Sequence, residues 1–132
     1  MERQPVILLL LVDDEAAFRE IFSTKLTAAG FKVATAADGS EGVAKAKELK
    51  PDLVLMDLHM PGMNGVEALM KLKEDATTKN AKVVFLTSYG EPRPQAQEVD
   101  TKFSAELGAV DYIRKTDDLE AIVLKVKSFF KK

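Results

Sequence analysis

The chain has 132 residues, a formal net charge of −2, 46% hydrophobic residues and no cysteine. That length suits one domain with a proper core, and the near-average apolar content argues against a disordered or a membrane class. The missing cysteines exclude disulfides, thiolate metal sites and thiol catalysis and are compatible with the cytoplasm, while the slightly acidic balance argues against direct nucleic-acid binding by the fold as a whole.

The longest apolar run, residues 6–12, is far shorter than the roughly 20 residues needed to span a bilayer. It runs straight into Asp13-Asp14-Glu15 with no small-residue cleavage pattern, so no signal peptide is expected. A run of this kind suits a central parallel strand buried on both faces. Next, Phe18, Ile21, Phe22, Leu26 and Ala29 fall on one helical face and Gly30 stops them, which predicts a helix over 15–29. Residues 31–36 mix Lys32 and Thr35 with apolar positions, as expected of an edge strand. Asp38-Gly39-Ser40 opens a second helix that ends near Leu49, because Pro51 cannot continue it.

A third strand over 53–57 ends in Asp57 and breaks into a loop punctuated by Pro61-Gly62 and Asn64-Gly65. The helix opened there carries Val66, Leu69, Met70 and Leu72, and residues 82–86 predict a fourth strand ending at Thr87-Ser88. Within 89–107, Pro92 and Pro94 keep the first part out of a helix interior, after which Ala96, Val99, Phe103 and Leu107 form an apolar stripe that Gly108 stops. Residues 109–113 read as a short fifth strand, and Leu119, Ile122, Val123, Val126 and Phe130 as one face of a last helix. Lys125, Lys127, Lys131 and Lys132 near its end complement the helix dipole more simply than they make a basic interaction tail. No repeat or linker interrupts this order, and one domain over 1–132 is expected.

Alternating strands and helices require right-handed crossovers and a parallel sheet covered on both faces. The wholly apolar first, third and fourth strands belong in the middle, which favours a doubly wound α/β fold of flavodoxin-like order 2-1-3-4-5. The first turn carries neither a G-x-G-x-x-G motif nor a P-loop, and its acidic residues would repel a phosphate unless a cation intervened.

In that order, Asp13, Asp14, Asp57, Thr87 and Lys115 all lie at the carboxyl edge of the sheet, where such folds bind ligands. Each has an ordinary explanation alone: Asp57 as a turn cap, Asp13-Asp14 as a helix cap, Thr87 as a strand-end residue, Lys115 as a surface lysine. Their coincidence at the strand ends argues for a site. Neighbouring carboxylates raise one another's pKa values, and an oxygen-only donor set relieved by a divalent cation suits Mg²⁺. With Lys115 the charges formally balance, and such a site can receive a phosphoryl group on a carboxylate nucleophile. Asp57 is then the nucleophile, Asp13, Asp14 and Asp57 hold the metal, and Thr87 and Lys115 contact the phosphoryl oxygens.

The chain resembles the receiver domain of two-component response regulators over nearly its whole length. The matching pieces are Leu11-Val12-Asp13-Asp14-Glu15, Asp57 followed by Met60-Pro61-Gly62-Met63-Asn64-Gly65, Leu86-Thr87-Ser88, and Gly108-Ala109-Val110-Asp111-Tyr112-Ile113-Arg114-Lys115. The resemblance implies phosphorylation of Asp57 by a sensor histidine kinase or phosphotransfer protein with Mg²⁺ bound. It also implies a switch in which Thr87 shifts toward the phosphoryl group and Tyr112 turns inward. Such a domain is regulatory rather than an enzyme, beyond self-phosphorylation and autodephosphorylation, and its output passes through an effector protein or a domain absent from this chain. His59 and Tyr89, each two residues past an active position, are expected at the pocket rim. His59 is the sole histidine, and one histidine cannot build a metal site.

Two departures from the pattern stand out. Where many receivers place proline after the active lysine, often with a cis peptide, this chain has Thr116. A cis bond there costs about 2.5–4 kcal/mol, so either the fold bears that strain or the bond is trans and Lys115 is placed differently. Residues 89–107 also run longer than the family pattern. Two other readings stay open: a receiver-like interaction module that never carries phosphate, and a Mg²⁺-dependent phosphatase acting on external substrates.

Overall fold

The computed structural model describes residues 6–87 and 108–130. Five parallel strands form one sheet in the order β2-β1-β3-β4-β5, as the apolar pattern requires. They are β1 (Leu8–Val12), β2 (Lys32–Ala36), β3 (Leu53–Asp57), β4 (Val83–Thr87) and β5 (Asp111–Arg114). The helices among the described residues are α1 (Ala16–Ala28), α2 (Gly39–Leu49), α3 (Gly65–Glu74) and α4 (Leu119–Ser128). The expected stripe over residues 96–107 and the rim residue Tyr89 lie outside the described residues.

The period of two in a strand sends alternate side chains to opposite faces, and this splits the core in two. On one face Leu10, Val12, Val54, Met56, Val83 and Phe85 pack with Val43 and Ala46 of α2 and Ala68, Leu69 and Leu72 of α3. On the other, Leu9, Leu11, Leu53, Leu55, Val84 and Leu86 pack with Phe22 and Leu26 of α1 and Ile122 and Val126 of α4. Each fully buried leucine contributes about 1.5–3 kcal/mol. Strands β3 and β4 are buried at every position, whereas β2 and β5 are mostly half-buried, in keeping with their mixed composition.

Several boundaries move. The outer residues of the 6–12 run stay outside the ladder and Val6 is largely exposed, because the partner strand β2 begins pairing only at Lys32 opposite Leu8. Strand β4 extends one residue further than the apolar run, to Thr87. Strand β5 is shifted to 111–114, its register set by Asp111 opposite Val84, which leaves Ala109 and Val110 in the approach to it. Ile21 and Met70 fall outside the buried faces of their helices. Phe22 and Leu26, four apart, already fill the strip of α1 that faces the sheet, and Leu69 and Leu72 do the same for α3.

Local signals fix the helix ends that surround the carboxyl edge. Asp38 caps α2 by accepting from the Glu41 amide, and Asn64 caps α3 in a reciprocal box with Glu67. A cap of this type contributes about 1 kcal/mol. After α2, Lys50 adopts the left-handed conformation at φ 49°, and Pro51 follows.

Candidate functional site

Strands β1 and β3 are neighbours, with Val12 opposite Met56, so each ends in a carboxylate at the same level. Asp13 follows Val12 directly and its amide donates to the Ala36 carbonyl of the β2 end, 3.1 Å. It is fully buried. Asp57 closes β3 and is also buried, while Asp14 is exposed. Carboxylate oxygens of the three lie within 4.8 Å of one another.

The loop after β3 holds Asp57 in place. Its Oδ1 accepts from the His59 amide at 3.2 Å, so Asp57 does cap its own turn, yet this uses only one of its two oxygens. The Gly65 amide donates to the Leu58 carbonyl, which folds the loop back onto the strand. A Cβ at Gly65 would stand 2.3 Å from the Asp57 carbonyl oxygen, so glycine is what lets α3 start directly against the end of β3. His59 itself is exposed.

Lys115 enters from beyond β5. Its amide donates to the Thr87 carbonyl at 2.8 Å, extending the β4–β5 ladder to the site. Its ammonium, on a side chain only 6% exposed, lies 2.9 Å from Asp13 Oδ2 and 3.7 Å from Asp57 Oδ2, and it also pairs with Glu15. The bond into Thr116 is trans, since the described residues contain no cis peptide. Of the two possibilities for that bond, the trans loop still delivers Lys115 to the carboxylates. Thr87 is buried at the β4 end, one residue past the Leu86 that pairs with Asp57. Tyr112 is half-buried on β5, packed against the core face that α2 and α3 share, with the Lys125 ammonium 5.4 Å from its ring centroid and bonded to its carbonyl.

The electrostatics follow from crowding acids in a dry place. Burial, the nearby Asp13 charge and a hydrogen bond with Asp14 raise Asp57 from 3.8 to about 7, against the opposing pull of Lys115 and the His59 amide. Burial likewise raises Asp13. For Lys115, burial favours the neutral form, but Glu15, Asp13 and Asp57 outweigh it and raise its pKa above the ordinary lysine value. Asp13 Oδ2 accepts no well-aligned hydrogen bond, although the Lys115 ammonium is close to it. A buried carboxylate oxygen left in this state, beside two more carboxylates and with no sulfur or imidazole donor in the set, fits a hard divalent cation.

Residues 9–127 match the response regulator receiver domain family. The chain belongs to that family. Its relatives include the DNA-binding dual master transcriptional regulator RpaA of a Synechocystis strain, 32% identical over 124 residues that cover 94% of this chain and 49% of the relative. The DNA-binding response regulator MtrA of Mycobacterium tuberculosis is 35% identical over 120 residues, covering 91% of this chain and again 49% of the relative. The chain thus spans about half the length of these DNA-binding relatives. Protein PilH of Pseudomonas aeruginosa, 35% identical over 120 residues, is covered over 94% of its length and covers 91% of this chain. Among solved structures, the chemotaxis protein CheY4 of Vibrio cholerae superposes with a TM-score of 0.80 at 28% identity, covering 94% of this chain and 98% of that one. A response regulator from Chloroflexus aurantiacus gives 0.81 at 27% identity, covering 97% and 100%.

The protein is therefore a receiver domain of two-component signalling, and receiver domains are regulatory. No described helix is long and apolar enough to cross a membrane. Asp13, Asp14, Asp57 and Lys115 of the sequence-derived set come together in one cluster, Thr87 stands beside them on the same edge, and Tyr112 lies further back along β5. Glu15 and Phe18 were missed. Glu15 belongs to the quoted motif but reads locally as a helix start, and Phe18 reads as one more apolar residue at helical spacing.

Proposed function

We propose that this receiver domain is switched by phosphorylation of Asp57 from a histidine kinase or a phosphotransfer protein, with Mg²⁺ held by Asp13, Asp14 and Asp57. The observation that carries the proposal is the meeting of three carboxylates within 4.8 Å with the Lys115 ammonium 3.7 Å from Asp57 Oδ2. A bound Mg²⁺ would offset the acidic cluster and neutralise charge on the incoming phosphoryl oxygens.

The chain's own residues do the rest. One Asp57 carboxylate oxygen forms a bond to phosphorus, the bond from phosphorus to the donor breaks, and the leaving group departs with its electron pair. The His59 amide holds Oδ1, which fixes the carboxylate plane during attack. Lys115 and the Thr87 hydroxyl bind the phosphoryl oxygens, charge-assisted in the case of the ammonium. The phosphoryl group then favours the arrangement in which Thr87 moves toward it and Tyr112 turns inward, a shift between two packings. His59, exposed two residues past Asp57, controls water access and so the lifetime of the acyl phosphate.

Output passes to an effector protein, or to an effector domain such as the DNA-binding relatives have the length to carry. The domain acts in the cytoplasm. Labelling with acetyl phosphate tests the acceptor assignment: wild type should incorporate acid-labile phosphate in Mg²⁺ and Asp57→Asn should not. Undiminished labelling of Asp57→Asn would overturn it.

A further inference from the structure

Glu15 occupies the N-cap position of α1 but makes no capping hydrogen bond with its side chain; its carboxylate pairs with Lys115 instead. One turn further along the same helix, Phe18 presents its ring to the same ammonium, with Lys115 Nζ 4.5 Å from the ring centroid. Phe18 is in turn braced by the fully buried Phe22, their centroids 5.2 Å apart and their planes tilted by 48°. A chain of ring contacts therefore runs from the α1 core to the Lys115 ammonium.

Lysine is a point charge on a flexible four-carbon stem, so its position has to come from its surroundings. Here three carboxylates draw on it, and the nearer ones are those of Glu15 and Asp13 rather than Asp57. A ring face attracts a cation through its quadrupole, and the attraction strengthens as water is excluded. An aliphatic residue of similar size would fill the same space without that attraction.

We propose that Phe18 is a positioning residue whose ring holds the Lys115 ammonium at the mouth of the acidic cluster, where it meets the phosphoryl group. The inference rests on the reading of Asp57 as the phosphoacceptor. Phe18 touches neither donor nor acceptor and acts through Lys115. Its contribution is preorganisation: the ammonium stands where charge develops and does not have to be gathered in from solvent.

The full chain is labelled with acetyl phosphate in saturating Mg²⁺ as wild type, Phe18→Leu and Phe18→Tyr, and Mg²⁺ affinity is measured on each without donor. Phe18→Leu should label about fivefold more slowly, the size expected for a partly desolvated cation–π contact. Phe18→Tyr keeps the ring and should stay near the wild-type rate, and neither variant should bind Mg²⁺ more weakly. A parallel loss of labelling and Mg²⁺ affinity in Phe18→Leu would mean a merely structural role and overturns the proposal, as does a Phe18→Tyr variant as slow as Phe18→Leu. A labelled wild type matched in rate by Phe18→Leu overturns this inference alone, whereas an unlabelled wild type overturns the phosphoacceptor reading and this one with it.

Discussion

The Lys115 ammonium sits 2.9 Å from Asp13 Oδ2, 0.8 Å closer to that oxygen than to Asp57 Oδ2 at 3.7 Å. Without a metal ion, Lys115 is thus the positive charge that keeps buried Asp13 tolerable. The same ammonium would compete for that oxygen with a divalent cation bound as proposed.

Replacing Lys115 with methionine should therefore act in opposite directions on two measurements. Metal-free stability should fall by about 3 kcal/mol at pH 8, because a buried pair loses one partner. Mg²⁺ affinity, followed by calorimetric titration, should rise by about tenfold, because a like-charge neighbour is gone. A variant that binds Mg²⁺ more weakly than wild type contradicts the assignment of Lys115 as competitor.

The raised Asp57 carboxyl makes a pH prediction with a definite sign. Its value of about 7 in the folded chain, against 3.8 ordinarily, means that between these limits the folded state keeps a proton the unfolded state has lost. Stability of the metal-free protein should then decline as pH rises through about 4 to 7, and the decline is complete above the folded value. Asp13, also raised, acts in the same direction, whereas Asp75, lowered to about 2 by Thr77 and Lys47, titrates below that window. Urea midpoints in EDTA should show wild type losing stability relative to Asp57→Asn across the window. A difference that instead grows in favour of wild type with rising pH refutes the shift.

Gly65 packs the α3 start against the end of β3. Gly65→Ala puts a Cβ within 2.3 Å of the Asp57 carbonyl oxygen, a backbone atom with little room to yield. The expected cost is about 1–3 kcal/mol in denaturant unfolding, typical of overpacking, accompanied by slower labelling because the Asp57 backbone is pushed. Wild-type stability in this variant would show that the loop gives way freely.

The sheet order was legible because strands buried on both faces need continuous apolar runs, as Leu53 to Met56 and Val83 to Leu86 supply. The carboxyl-edge site was legible for the same reason: once the order is known, Asp13, Asp57, Thr87 and Lys115 must share an edge. Boundaries were less so. Whether Thr87 belongs to β4 or Asp111 begins β5 depends on the neighbour's register, which is a property of the pair and not of either segment. The orientation of Ile21 and Met70 could not be told from spacing, since each fits a broad apolar stripe and only the width of the sheet contact excludes it. Phe18 shows the same ambiguity with more consequence. Nothing in a phenylalanine at helical spacing distinguishes a ring packed into the core from one that also faces an ammonium nearly 100 residues away in sequence. Glu15 is hidden similarly, because its partner is Lys115 and not its own helix.

The most direct test of the phosphoacceptor assignment is mapping of the acyl phosphate formed from acetyl phosphate, by reductive trapping and mass spectrometry, in parallel samples with Mg²⁺ and with EDTA. One modified carboxylate at Asp57 in Mg²⁺, and none in EDTA, is the predicted result. Modification at Asp13 or Asp14, or equal modification of Asp57 with the metal removed, would contradict it.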